Sequence, residues 1–168
     1  MVVALKIVTL EMLMGIREKL RHDGKRVVWT NGCFDLIHVG HLRSLRAAKS
    51  VGDILVVGIN DDRSIRQLKG EGHPLMAEHD RCELLAGFEC VDYVVLFSES
   101  TPVDILRRVQ PDIHCKGADY EPPHGKSIPE LEVVESYGGQ VRFLPMIEGR
   151  STSALVGAIQ ALSSNTEE

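Results

Sequence analysis

Two histidines three residues apart, His38 and His41, close the stretch Thr30–His41, which reads Thr-Asn-Gly-Cys-Phe-Asp-Leu-Ile-His-Val-Gly-His. It follows the strand-like run Arg26-Val27-Val28-Trp29 and leads into a helical pattern from Leu42 to Val51. Both imidazoles therefore fall on one face of the first turn of a helix. A helix start exposes unpaired N–H groups and the positive end of the dipole, which favours a phosphate. Two histidine donors at that place make a site for anionic oxygens. Gly40 between them removes a side chain where a ligand must approach the backbone. A zinc reading lacks the intervening glutamate of H-E-x-x-H and a clear third ligand, so no metal ligand is assigned. The pattern points to chemistry on phosphate.

Further residues of the same kind stand elsewhere in the chain. Gly149-Arg150-Ser151-Thr152-Ser153 opens the last helical pattern. Its hydroxyls suit helix caps, and with Arg150 and the free N–H groups they suit a second anion site facing the first. Lys69-Gly70-Glu71-Gly72-His73-Pro74 is a flexible segment carrying one cation, readable also as a solvated loop lysine. Lys116-Gly117-Ala118-Asp119-Tyr120 sets a cation, a permissive glycine and an anion on a strand-end loop, where a surface salt bridge is the plainer reading. Asp35 is placed to cap the helix entry, or to orient a substrate hydroxyl or a metal. Arg81 reads as a solvated helix residue or a substrate contact. Neither G-x-x-x-x-G-K-[ST] nor G-x-G-x-x-G occurs, which removes support for ATPase and dehydrogenase readings.

The elements that position these residues alternate. A helical stripe at 10, 13, 16 and 20 ends at Gly24. Strands are expected over Val27–Thr30, Ile54–Ile59, Tyr93–Phe97, Ile113–Lys116 and Val141–Pro145. Helices are expected over Val39–Ser50, Glu78–Phe88, Pro102–Val109 (Thr101 as N-cap, Pro102 at its first position), Ile128–Tyr137 and Ser153–Leu162. Nearly continuous apolar strands alternating with helices predict an α/β, doubly wound, Rossmann-like five-stranded parallel sheet with helices on both faces. In such sheets ligands bind beyond the carboxyl ends of the strands, where Thr30–His41, Asn60-Asp61-Asp62, Lys116–Tyr120 and Gly149–Ser153 all fall. One domain over residues 1–168 is expected, with 1–9 and 163–168 as frayed termini and an irregular stretch at 118–127.

Composition narrows the class. A net charge of −5 argues against a broad nucleic-acid surface, while leaving room for a single nucleotide. Cys33, Cys82, Cys90 and Cys115 form no C-x-x-C pair and do not resemble a secreted disulfide framework. No signal-peptide pattern opens the chain and no apolar run approaches the roughly 18 residues of a membrane span, so a cytoplasmic location with no membrane partner is expected.

His38-Val39-Gly40-His41 resembles the H-x-G-H signature of the nucleotidyltransferase superfamily that includes the cytidylyltransferases, and Ser151-Thr152-Ser153 its second, Ser/Thr-rich signature. A narrower resemblance runs from about Leu10 to Leu162. Residues 30–35, 60–62, 68–70, 91–97, 101–102, 116–120 and 137–139 together are similar to the D-glycero-D-manno-heptose 1-phosphate adenylyltransferases. That resemblance implies transfer of AMP from ATP to a sugar 1-phosphate, with Mg²⁺, giving an ADP-sugar for lipopolysaccharide or another surface glycan. It implies a homodimer, and a stand-alone form rather than a fusion to a sugar kinase. His38, His41, Lys69 and Arg150 would be catalytic. Thr30, Asn31, Gly32, Cys33, Phe34, Gly40, Lys116, Gly117, Asp119, Ser151, Thr152 and Ser153 would hold the nucleotide. Asp35, Asn60, Asp62, Lys69 and Arg81 would face the sugar phosphate. Two departures fall on the sugar side: His73-Pro74 replaces the usual Arg-Pro, and the insert Glu121–Pro129 is longer and richer in proline. The alternatives within reach are a CTP-dependent transferase acting on a polyol or amino-alcohol phosphate, and a non-catalytic nucleotide sensor.

Overall fold

In the computed structural model, residues 3–125, 128–145 and 152–164 are described. Five strands, β1 (Val27–Gly32), β2 (Ile54–Asn60), β3 (Tyr93–Phe97), β4 (Ile113–Gly117) and β5 (Gln140–Leu144), form one all-parallel sheet in the order β3-β2-β1-β4-β5. Seven α-helices are described: α1 (Leu10–His22), α2 (Val39–Ser50), α3 (Asp62–Lys69), α4 (Glu78–Ala86), α5 (Val103–Val109), α6 (Glu130–Ser136) and α7 (Thr152–Ser164). The order reverses at β1, the switch point of a doubly wound sheet.

Alternation along the strands builds two cores, because successive side chains of a strand point to opposite faces. Val28, Leu55 and Val57 pack with Leu45 and Ala48 of α2 and Leu85 of α4. Val27, Trp29 and Val56 pack on the other face with Leu13 of α1, Leu106 of α5 and Val134 of α6. Gly58 has a packing reason: a Cβ there would stand 2.4 Å from the Trp29 indole, which fills that space.

Element boundaries follow the sequence expectations closely, with differences that have physical causes. Between the strand-end residues 60–62 and the flexible segment from Lys69, where no element was expected, lies a full helix, α3, capped by Asp61, whose carboxylate accepts the Ser64 N–H at 2.6 Å. Helix α5 starts at Val103 with Pro102 as its N-cap and no side-chain cap bond, so Thr101 does not serve there. It ends before Pro111 at Gln110, in the left-handed conformation (φ 47°). The expected fraying of residues 1–9 fails at residues 6–8. Ile7 bridges Val94 at the sheet edge, and Val8 and Lys6 exchange backbone hydrogen bonds with that residue.

Strand pairing opens the site. β1 and β2 stay in register over six pairs, Val27↔Ile54 to Gly32↔Ile59, whereas β1 and β4 pair only at Val28↔Ile113 and Trp29↔His114. Beyond Trp29 the two central strands part, and the Thr30 hydroxyl reaches across to the Cys115 carbonyl at 3.2 Å. A crevice therefore forms at the carboxyl ends of β1 and β4.

Candidate active site

The two histidines cap their own helix. His38 is the N-cap of α2, and its Nδ1 accepts the Gly40 N–H at 3.0 Å. The His41 Nδ1 accepts the His38 N–H at 3.3 Å, completing a reciprocal capping box built from imidazoles. The rings lie against each other with centroids 4.0 Å apart, and Phe34 leans on His41 at 5.3 Å. An Nδ1 that accepts a backbone N–H carries no proton, so each neutral ring holds its hydrogen on Nε2. Burial, then the neighbouring His38 and Lys69, holds His41 down at about 4, so it is neutral near pH 7. The arrangement sets two Nε2–H groups beside a helix N-terminus.

The turn leading to these histidines is strained and firmly held. Phe34 (φ 49°) and Leu36 (φ 46°) both sit in the left-handed region, a conformation that side-chain-bearing residues keep only when their surroundings impose it. Between them, the Asp35 carboxylate is buried and accepts the N–H groups of Leu75 (2.9 and 3.1 Å) and Met76 (3.0 Å). His73 Nδ1 stands 3.5 Å from Asp35 Oδ2. Burial pushes the Asp35 carboxyl up, but the backbone donors, His73 and Lys69 outweigh it and hold it below its usual range. Asp35 thus straps the 73–76 segment to the β1–α2 turn. On its other side, the Thr152 hydroxyl donates to the Asp35 carbonyl at 2.8 Å, drawing the start of α7 to the same turn.

Arg81 is fully buried on α4. Its guanidinium donates to the carbonyls of Cys33 (2.6 Å), Asn60 (2.9 Å) and Met76 (3.0 Å), and pairs with Asp62 at 2.7 Å. It is neither solvated nor turned outward: it ties the ends of β1 and β2 to the 70s segment, which makes it a positioning residue. Asn60 is likewise spent inside, donating to Ser64 Oγ and to the Glu99 carbonyl. Asp62 also receives support through its own N–H, which donates to Glu78 at 2.8 Å.

On the β4 side, the Lys116 ammonium pairs with the buried Glu130 carboxylate of α6 at 2.9 Å and lies 4.9 Å from the Tyr120 ring centre. Gly117 ends β4, and Asp119 lies in the 3-10 turn Ala118–Tyr120 that follows. Asn31 accepts the Trp29 indole N–H at 3.2 Å, which fixes its amide at the crevice edge. A Cβ on Gly32 would stand 3.4 Å from Phe34 Cε2. Lys69, at the end of α3, is exposed, makes no ion pair among the described residues, and its charge acts on His41, Cys33 and Asp35. Burial raises the Cys33 thiol above its ordinary value.

The structure therefore gathers Thr30–Asp35, His38, Gly40, His41, Lys69 and Thr152 around the mouth of the crevice, with Lys116–Asp119 on its β4 rim. Ser153 follows on α7 and is exposed. Arg150 and Ser151 lie outside the described residues. Sequence reasoning missed Glu78 and Glu130 and read His73 only as a departure on the sugar side, not as a partner of Asp35. Among the described residues no three His, Cys, Asp or Glu side chains converge as a metal cage.

Residues 29–149 match the cytidylyltransferase-like family. The chain belongs to that family of nucleotidyltransferases. Among curated proteins it is 47% identical over 154 residues to the bifunctional protein HldE of Geobacter metallireducens, covering 92% of this chain and 31% of that protein. It is 46% identical over 149 residues to HldE of Syntrophotalea carbinolica, covering 89% and 30%. The chain thus spans about a third of the length of these curated relatives. Among solved structures it resembles the lipopolysaccharide core biosynthesis protein of Thermoplasma volcanium GSS1, with TM-score 0.59 and 28% identity over 76% of this chain and all of that one. A pantoate-beta-alanine ligase from Francisella tularensis shares the fold at TM-score 0.59 and 13% identity, over 88% and 68% of the two chains. Family membership makes nucleotidyl transfer the activity of the chain. No described helix is long and apolar enough to cross a membrane.

Proposed function

We propose that this chain is one adenylyltransferase domain that moves AMP from magnesium-bound ATP to a sugar 1-phosphate, D-glycero-D-manno-heptose 1-phosphate. The observation that carries the reading is the pair of Nδ1-capped imidazoles at the N-terminus of α2, each with its hydrogen on Nε2. In the reaction, an oxygen of the sugar phosphate attacks the α-phosphorus of ATP, and the bond to the bridging oxygen of the β-phosphate breaks. Pyrophosphate leaves, carrying the electron pair. The acceptor is already an anion, so no general base is required. The protein's work is alignment and stabilisation of the charge that develops on the phosphates. In this reading His38, His41 and Lys69 act on that charge, joined by Arg150 and the Ser151 hydroxyl, while the Gly40 N–H and the Thr152 hydroxyl hold the site together through His38 and Asp35.

Magnesium enters as part of the nucleotide substrate, held by phosphate oxygens and water. That route suits a site whose nearby carboxylates, Asp35 and Asp62, are already engaged by backbone donors and Arg81. Support for the adenine nucleotide and the heptose comes from the motif set at 30–35, 68–70, 91–97 and 116–120. The same resemblance supports a cytoplasmic homodimer, with small molecules as its substrates. The test is pyrophosphate release with ATP, CTP, GTP and UTP, each against heptose and hexose 1-phosphates. ATP with the heptose 1-phosphate is expected to dominate. A preference for CTP with a polyol phosphate would replace this reading, and nucleotide binding without pyrophosphate release under every acceptor would point to a sensor.

A further inference from the structure

The opposite pole of the sheet, where β4 and β5 begin, holds a second polar recess of about 350 Å³ against the C-terminal half of α1. Its wall includes Arg17, Arg21, Asp112 and Tyr137. Arg17 is only 4% exposed. Its Nε donates to the Val109 and Gln110 carbonyls (both 3.3 Å), and its Nη2 to the Gln110 carbonyl (2.8 Å) and to Asp112 Oδ1 (3.1 Å). Its Nη1 is buried with no partner, and so is the Tyr137 hydroxyl. Burial, opposed by Arg17, pushes that hydroxyl up to about 12, so it remains a donor at neutral pH. The ring is seated by Gly139, where a Cβ would stand 2.6 Å from Tyr137 Cε2.

Buried donors left unsatisfied are costly, and two in one recess call for a guest rich in acceptors. Charge selects its sign. Asp112 spends Oδ1 on Arg17 and Oδ2 on the Val27 N–H at 2.7 Å, so the arginine and the carboxylate neutralise each other. Arg21 is exposed and makes no ion pair among the described residues, which leaves the recess with an excess positive charge. Its volume exceeds the roughly 30 Å³ share of one water about tenfold. We propose that this recess is a second binding site, distinct from the crevice, for a phosphate-type oxyanion. The guest is free phosphate or the phosphate group of a small metabolite, held by Arg17 Nη1, Tyr137 Oη and Arg21.

The test is a titration of the full chain with inorganic phosphate, and separately with ribose 5-phosphate, followed through the side-chain NMR signals of Arg17 and Tyr137. A saturable shift of both signals is expected, with the tighter of the two ligands identifying the source. Arg21→Ala and Tyr137→Phe should each weaken it at least about tenfold. Phosphate-induced shifts at Gly40 and His41, and turnover itself, should stay as in the unmodified chain. Arg17 and Tyr137 signals that stay still while those of Gly40 and His41 move would overturn the proposal. So would unchanged affinity in both variants, which would place the bound phosphate outside the recess.

Discussion

At the scale of residues, the site depends on which nitrogen of each histidine carries the proton. Both Nδ1 atoms accept backbone N–H groups, so protonating either ring there would break the cap of α2. The lowered value of His41 agrees with this: in the function we propose, the neutral ring donates through Nε2. Nitrogen-15 NMR of His41 should show the Nε2–H tautomer at pH 7 and a titration near 4. A protonated ring at pH 6, or an Nδ1–H tautomer, would contradict the arrangement. The pair was legible in the sequence because spacing, Gly40 and a preceding strand encode a helix start locally. The capping roles were not, since they require atoms rather than residue types.

At the scale of elements, the ends of β1 and β2 meet the 70s segment at one junction, and Arg81 is its tie. Lysine at this position would keep the charge but lose the planar fork that reaches Cys33, Asn60 and Met76 together. Arg81→Lys should therefore destabilise the fold by about 1–3 kcal/mol for each carbonyl left unsatisfied, read as a lower urea midpoint, and should lower kcat as the β1–α2 turn loosens. Wild-type stability and turnover in that variant would remove the tie. Nothing in the run Glu78-His79-Asp80-Arg81 announces a fully buried arginine, because its partners lie up to 48 residues away in sequence. Helix α3 was hidden for a related reason: Ile65 and Ser64 are its buried residues, too few to give a periodic stripe. By contrast, β2 and β3 were plain from their apolar runs, although only β2 is covered nearly throughout and β3, at the sheet edge, leaves Leu96 exposed.

At the scale of the whole molecule, two depressed imidazoles tie stability to pH. His114, wholly buried in β4, is held at about 3 by burial and then by Lys116, and His41 at about 4. The unfolded chain protonates both near 6.5, while the folded chain resists until far lower pH. Their contribution is complete above about 6.5 and is lost as pH falls from there toward 4 and 3, at up to about 1.4 kcal/mol per pH unit for each ring. Urea midpoints should fall between pH 7 and pH 5, and His114→Leu should reduce that fall. Equal midpoints at the two pH values would show that neither ring is held neutral. The central claim is that the histidine pair, with His41 neutral, stabilises nucleotidyl transfer. It is tested most directly by single-turnover pyrophosphate release from ATP and heptose 1-phosphate by His41→Ala, with circular dichroism confirming the fold. The expected result is a rate lower by about 10²–10³ in a folded protein, the loss typical of one preorganised donor. A folded His41→Ala that turns over at the unmodified rate would contradict it.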